Sequence, residues 1–581
     1  MDMNMDHSSH GAIDESTPWN ANIPYAGALA GVISGLTFVL FLRHVAQSIT
    51  YIRHSSFFGK YNRLERYVVN KCSYTLNLGS SRSRLTPVLP PVGAILLILA
   101  LVTTAVPLLL VQTDLAINSN RAGFLAISIV PFMLASTGKN SAMALLTGIS
   151  HVKLNFLHRT LATAIVVLAT VHMAYMLENW SRFSWFLKEK LATEKVQHGL
   201  AGYGCLCFVF VTSLYPIRRY CHELFLVTHL VGFGFLGAIA KHTPYAMRYF
   251  FAGLLCYCVN ALTGWFVKSR IGRARVEVLP HGCTRLSLRL SSPITHRPGQ
   301  HVYISLPKVS YVQWHPFTIT SVHRKTEDNA CDMIEMYACV RGNFTRKLYK
   351  LAQQGEEWPA FIAGPYGNGS PDLDPTEMLT HHDTLLLMGA GAGVTFPMRL
   401  VRELGLTLLE GGMMTQQQSI RSKDIYFAWS VRHVGELEWF YAELQQLLVD
   451  FEHARKRMQL KYDLPHVHVL LYVTETNKQG ADNIIELPTP PTEKAASLDG
   501  EGSRMFSNVD DDHVQDEDAP KPRVVFGSRM DVRALFKEAG GREPGIFACG
   551  PASFNASIKN AVASATRPGY LPHLHCEEFQ Y

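Results

Sequence analysis

The sequence predicts a multi-span α-helical membrane domain followed by a soluble module, itself an antiparallel β-barrel joined to a parallel α/β domain. Three observations predict this. Apolar runs dominate residues 23–268. Short β-rich segments separated by Gly and Pro fill 272–375. Strand-like and helix-like segments then alternate from 376 to 581, the pattern of a parallel sheet.

Residues 1–22 form a polar tail, MDMNMDHSSHGAIDESTPWNAN, whose Met and His are soft-metal donors. Apolar segments follow near 25–46, 91–111, 122–138, 157–177, 197–215, 222–241 and 248–267. Each suits a crossing, although the third is short and Pro131 interrupts it. Between the first two lie Arg43, Arg53, Lys60, Arg63, Arg66, Lys71, Arg82 and Arg84, opposed by the single acid Glu65. The positive-inside rule places that loop in the cytosol and the tail outside. Seven crossings leave the C-terminal half in the cytosol, in keeping with Lys268, Arg270, Arg273 and Arg275 after the last span.

Two of these runs carry paired histidines: His158 and His172 in the fourth, His229 and His242 in the sixth. Spacings of 14 and 13 residues cover roughly 20 Å of helix, which suits two haems stacked across a bilayer core of about 30 Å. Imidazole is the neutral ligand of haem iron, and ionisable residues within a membrane are functional candidates by default. His158 and His172 share a helix face, whereas His242 lies roughly 140° from His229 on an ideal helix. A distortion at Gly232, Gly234 or Gly237, or a position at the helix end before Thr243-Pro244, would bring it round. His151, His198 and His222 at the span boundaries leave a shifted assignment open. With both spans running outward, His158 pairs with His229 near the cytosolic face and His172 with His242 near the outer face. Two axial histidines leave iron no open position, which favours electron transfer.

In the soluble half, RARVEVL, CTRLSLRL, HVYISL and MIEMYACV read as barrel strands. TLLLMG, IYFAWS, VHVLLYVT and GIFACG read as parallel strands, with VTFPMRLVREL and LEWFYAELQQLL as helices between them. A Pro-, Ser- and Asp-rich stretch of about 476–522 interrupts the second set; residues 497–519 hold eight acids and one Arg, the composition of a disordered insertion. The net charge of +7 gathers beside the spans, which fits membrane topology and not nucleic-acid binding. The eleven cysteines form no CxxC pair, so neither a zinc site nor a disulfide framework is expected. The first twenty residues lack Lys and Arg, unlike a secretory signal.

His315-Pro316-Phe317-Thr318-Ile-Thr320-Ser321, preceded by Arg297-Pro-Gly-Gln-His-Val, resembles the flavin motif of the ferric reductase and NADPH oxidase superfamily, and the histidine spacing is similar too. Seven spans with an outer N-terminus resemble the fungal-type ferric reductases. The resemblance implies a ferredoxin-reductase-like module with FAD held by His315, Pro316, Phe317, Thr318, Thr320 and Ser321, and by Gly342 and Thr345 of Arg341-Gly-Asn-Phe-Thr345. Gly364-Pro-Tyr-Gly367 resembles the turn that ends the barrel. Gly389-Ala-Gly391-Ala-Gly393-Val394-Thr395, between a strand and a helix, resembles the nicotinamide-nucleotide loop, where glycines admit a pyrophosphate to the helix N-terminus. Cys549-Gly550-Pro551 resembles the family's motif near the nicotinamide. Arg432, just past IYFAWS, is a candidate for the 2′-phosphate of NADPH, and the C-terminal Glu577-Glu-Phe-Gln-Tyr581 resembles the family's aromatic end.

The implied function is electron transfer from cytosolic NADPH through FAD and two haems b to ferric or cupric ions or chelates outside the plasma membrane. Phe235 lies between the two histidine levels and is a relay candidate. Besides the lipid bilayer, a metal permease is a candidate partner. Two other readings compete: a superoxide-forming oxidase with the same carriers, and a transporter or sensor without enzymatic activity.

Overall fold

The computed structural model describes residues 19–49, 56–76, 90–139, 141–322, 331–353, 356–367, 369–409, 420–458, 464–475 and 520–578. The Met/His tail, nearly all of the acidic insertion and the aromatic C-terminus fall outside these residues. The chain forms two compact units, residues 1–55 with 94–264, and residues 56–93 with 265–580.

The first unit is helical. Five helices among the described residues are long and apolar enough to cross a membrane: Ile23–Ser48, Val92–Leu110, His151–Ser181, His222–His242 and Pro244–Val267. Asn120–Ala135, the expected short third span, has sixteen residues, roughly 24 Å at 1.5 Å per residue. Glu194–Thr212 occupies the place of the fifth expected span, but Glu194 and Lys195 make its first turn polar. Leu125, Ile129, Leu161, Ile165, Leu168 and Phe250 form the inner core. Leu36, Phe38, Val39, Leu99, Val102, Phe251 and Leu255 stay exposed, as the lipid face of a multi-pass bundle requires.

In the second unit, β1 (Ser269–Leu279), β2 (Cys283–Ile294), β3 (His301–Ser305), β4 (His315–Thr318), β5 (Cys331–Cys339) and β6 (Glu357–Tyr366) form an antiparallel sheet in the order β4-β3-β6-β1-β2-β5. Just past β4, Thr320 N–H donates to the Glu335 carbonyl of β5 at 2.8 Å, so the two edges almost meet. Alternating apolar residues fill the interior, among them Val276, Leu286, Leu288, Val302, Ile304, Ile334 and Trp358. The helix Asn343–Ala352 buries Phe344 and Leu348 there.

The remaining strands, β7 (Thr384–Ala390), β8 (Asp424–Val431), β9 (His466–Val473), β10 (Arg523–Phe526), β11 (Gly545–Gly550) and β12 (His573–Glu578), form a sheet ordered β10-β9-β8-β7-β11-β12, parallel at every pairing. Leu385, Leu387, Ile425 and Phe427 point to one face, under the helices Thr395–Leu409 and Tyr441–Met458. Leu386, Met388, Tyr426 and Ile546 point to the other, under Val532–Ala539 and Ala552–Ala565. Strands buried on both faces read as unbroken apolar runs, which is why β7 and β8 are legible in the sequence.

The structure adds elements that the expected set lacks, among them β6, β10, β12 and the helices Asn343–Ala352, Val532–Ala539 and Ala552–Ala565. β10 and β12 are edge strands whose partly polar sequences hide them. The basic stretch after the first span, expected as a loop, contains the helix Ser56–Cys72. That helix belongs to the soluble unit, where Asn70 Nδ2 donates to Thr566 Oγ1 at 3.1 Å and to the Pro572 carbonyl at 2.8 Å, and Lys71 Nζ donates to the Ala563 carbonyl. Its basic residues therefore do more than mark topology.

Candidate functional site

The structure brings the four histidines together in two pairs. His158 and His229 have ring centroids 6.4 Å apart, and so do His172 and His242. The helix carrying His229 and His242 departs from ideal geometry between them. Its hydrogen bonds from Leu230 to Val227, Val231 to Thr228, Phe233 to Leu230 and Gly234 to Val231 are all of the tighter i→i+3 kind. Each such step turns about 20° further than an α-helical one, so four recover roughly 80° of the roughly 140° misalignment. His242 is also the last helical residue, ahead of an extended Thr243 and Pro244. Both expected remedies operate together.

Each pair has the donor chemistry a haem iron needs. Nδ1 of His158, His172 and His242 lies 3.1, 3.0 and 2.9 Å from the carbonyl oxygens of Met133, Ser119 and Lys195. A carbonyl only accepts, so these Nδ1 atoms carry the proton and Nε2 keeps its lone pair. Ser213 Oγ donates to the Val209 carbonyl and can accept from His229 Nδ1, 3.3 Å away. Such outer hydrogen bonds fix the tautomer and orientation of a ligating imidazole. A ligating nitrogen sits about 2 Å from its metal, so two imidazoles facing each other across one metal atom would have centroids roughly 6 Å apart, close to the observed separation. Gly199 makes room: a Cβ there would stand 2.6 Å from His242 Nδ1. Among the described residues, no group of three or more His, Cys, Asp and Glu is placed to hold a bare metal ion. A haem would bring its own porphyrin ligands, so two protein donors would suffice for it. His198 bonds to the Glu194 carbonyl, and His222 packs on Phe225, which in turn packs on His229. Phe235 packs against Phe250 at 5.7 Å within the helical core.

In the soluble unit, His315 stacks on Phe344 with centroids 4.0 Å apart, which joins the two expected flavin elements. Pro316 is exposed, and Phe317 and Thr318 are half-buried. Thr345 Oγ1 accepts from the N–H groups of Arg341 and Gly342 and closes that turn. Thr320 and Ser321 serve the fold: Thr320 Oγ1 donates to the Glu335 carbonyl and Ser321 Oγ accepts from Glu335 N–H.

The nucleotide loop follows β7 as a short 3-10 turn, Gly391–Val394, leading into the helix Thr395–Leu409. A side chain at Gly393 would meet the Cys549 carbonyl at 2.3 Å, so this glycine lets the loop seat against the end of β11. Gly391 is different. Its φ of +55° suits glycine, the Arg341 guanidinium lies 3.2 Å from where a Cβ would be, and its carbonyl accepts from Trp429 Nε1. Gly389 is buried at the end of β7, and Thr395 Oγ1 donates to the Ala392 carbonyl. Arg432 is exposed just past β8. Cys549 and Gly550 are buried at the end of β11, and Pro551 begins the next helix. Burial pushes the Cys549 thiol well above its ordinary range, so it stays protonated.

A charged network invisible in the sequence joins the flavin sheet to the nucleotide domain. Arg402, on the helix behind the nucleotide loop, makes a forked contact with Glu443 at 2.5 and 2.7 Å. It also donates to the Thr320 carbonyl at 2.8 Å and to Glu335 Oε1 at 3.2 Å. Arg285 holds the other Glu335 oxygen at 2.9 and 2.6 Å. Burial alone would raise the Glu335 carboxyl, but Arg402 and Arg285 outweigh it and hold the group below its usual range.

Comparison with known proteins follows these boundaries. A ferric reductase like transmembrane component matches residues 122–240, an FAD-binding domain 269–370, and a ferric reductase NAD binding domain 382–563. Ferric reductase transmembrane component 1 of Schizosaccharomyces pombe is 30% identical over 515 residues, which cover 79% of each chain. The probable cell surface ferric reductase kap2 of Aspergillus oryzae is 25% identical over 61% of this chain, which spans half of that protein's length. A superoxide-generating NADPH oxidase heavy chain of Dictyostelium discoideum is 27% identical over 45% of this chain and 40% of its own. Two histidine pairs on apolar helices, a flavin-type barrel and a parallel nucleotide sheet, in a chain aligned along most of its length with a ferric reductase, place it in one group: the chain belongs to the ferric reductase family.

Proposed function

We propose that the protein is a plasma-membrane metalloreductase that takes electrons from cytosolic NADPH and delivers them outside the cell to ferric chelates or cupric ions. The observation that carries the proposal is the pair of facing histidine couples, each with Nδ1 engaged and Nε2 free, in a chain that also holds flavin- and nucleotide-type folds. When bound, flavin converts two-electron hydride donation to single-electron transfer, and haem carries single electrons across the apolar layer. His158 with His229, and His172 with His242, would hold the two haems. The loop at Gly391–Thr395 would receive the pyrophosphate of NADPH, with Arg432 free to meet a 2′-phosphate. The elements around His315 and Gly342–Thr345 would hold FAD. With both imidazoles of each pair committed to holding a haem, an acceptor would be reduced at the periphery of the outer pair. The proposal does not include a metal permease.

Likeness to a superoxide-generating oxidase keeps oxygen as the competing acceptor. The test is an assay on intact cells with an impermeant ferric chelate, Cu(II) and oxygen, run without oxygen and, in air, with added superoxide dismutase. Metal reduction that persists in both conditions supports the metalloreductase. Metal reduction lost in both, with superoxide formed in air, supports the oxidase. An epitope at the N-terminus should be reached on intact cells, and one after Tyr581 only after permeabilisation.

A further inference from the structure

We propose that Cys283 and Cys339 form an oxidisable thiol pair, a site at which hydrogen peroxide closes a cross-strand disulfide at the seam between the flavin sheet and the nucleotide domain. Cys283 opens β2 and Cys339 ends β5, and the two stand directly opposite in the antiparallel register. Their sulfurs are 3.4 Å apart. The flanking hydrogen bond from Val340 N–H to the Gly282 carbonyl makes this a non-hydrogen-bonded pair, the position where opposed Cα atoms approach to about 4.5 Å and side chains lie closest. That separation is within the range a disulfide tolerates, and the sulfurs need close only to about 2.05 Å. No change of strand register is required.

The surroundings give the bond a place to act. Cys283 is buried and Cys339 half-buried against the core that runs from β2 and β5 into the nucleotide domain. The adjoining turn at Pro280–Gly282 meets that domain, where Trp439 Nε1 donates to the Pro280 carbonyl. Beyond Cys339 the chain enters Arg341–Thr345, the second flavin element.

The chemistry balances. The Cys339 sulfur, the more exposed, takes an oxygen from hydrogen peroxide and becomes a sulfenic acid, with release of one water. The Cys283 sulfur then displaces that oxygen as a second water. Two thiols and one peroxide give one disulfide and two waters, each sulfur losing one electron and one proton. The neighbouring Cys339 sulfur and burial both push the Cys283 thiol up, so it does not meet peroxide first; it resolves the sulfenic acid because its sulfur lies 3.4 Å from that of Cys339. In a reducing compartment the bond would be transient.

The test treats the full-length, detergent-solubilised protein with hydrogen peroxide, alkylates it after denaturation and maps the cysteines by mass spectrometry. The expected result is loss of both alkylation sites, a linked peptide pair containing Cys283 and Cys339, and return of both thiols with dithiothreitol. Cys339→Ser should abolish the linked pair and leave Cys283 alkylatable, and Cys283→Ala should leave Cys339 to oxidise further without linkage. Both thiols still alkylated in the unmutated protein after peroxide, or both carried to unlinked sulfinic acids, would overturn the proposal.

Discussion

Replacing Arg402 with Met tests whether the buried charge network holds the flavin sheet to the nucleotide domain. Met keeps the unbranched apolar stem, stops short of the guanidinium nitrogens, and removes the charge and every donor. Glu335 would retain Arg285, but Glu443 would lose its forked partner and the Thr320 carbonyl its donor. Glu335 is only 15% exposed and Glu443 31%, so solvent can screen the second carboxylate better than the first. Removing one member of a buried pair costs about 3–5 kcal/mol, and the exposure of Glu443 points to the lower end. At roughly 2 °C per kcal/mol for a unit of this size, the melting temperature should fall by about 6 °C. The loss should also depend on pH. Glu335 has a depressed folded-state pKa, so its contribution is present above the unfolded value of 4.5 and fades as pH falls below it. The variant should therefore be most impaired at neutral pH and draw closer to the parent in acid. The assay is thermal unfolding of the full-length protein in detergent at several pH values. A shift below about 2 °C at neutral pH, or a deficit that does not change with pH, would refute the reasoning.

Three further outcomes are expected. His172→Ala or His242→Ala should remove one haem, and His158→Ala or His229→Ala the other; two haems retained in any purified variant would reject that residue as an essential ligand. Gly393→Val drives a side chain onto the Cys549 carbonyl, so NADPH oxidation should fall by at least an order of magnitude while haem content is unchanged, as a haem absorption spectrum beside an NADPH consumption assay would show. Burial holds His573 down to about 4, among Asp372, Arg66, His382 and His575; its unfolded value near 6.5 is higher, so the unfolded chain takes up the proton first and stability is lost as pH falls from 6.5 toward 4. His573→Phe should flatten that part of a melting-temperature profile, and an unchanged slope would exclude His573 as its source.

The expected elements that the structure matches share one property: their signal is local. β1, β2, β3 and β5 lie within a residue or a few of the predicted strands, because alternation in a half-buried strand is a local periodicity. The helix Ser56–Cys72, β10 and β12 escaped, because each is held by distant chain: Asn70 by Thr566 and Pro572, β12 by β11. The loop glycines also acquired a different reason. A pyrophosphate accounts for the loop in outline, but Gly393 is set against the protein's own backbone at Cys549.

By itself the sequence determined the membrane half, the two sheets of the second unit and the spacing of the two histidines along each helix. Apolar length, residue periodicity and axial rise along a helix are properties of a continuous segment. Only the tertiary structure decided how His242 comes round to face His172, since that rotation depends on which hydrogen bonds tighten between Val227 and Gly234. It also decided which carbonyls orient the imidazoles, and that Arg402, Glu335 and Glu443 meet although 108 residues separate Glu335 from Glu443. The physical reason is the same in each case: hydrogen bonds and ion pairs act over about 3 Å, and folding alone determines which distant residues come that close.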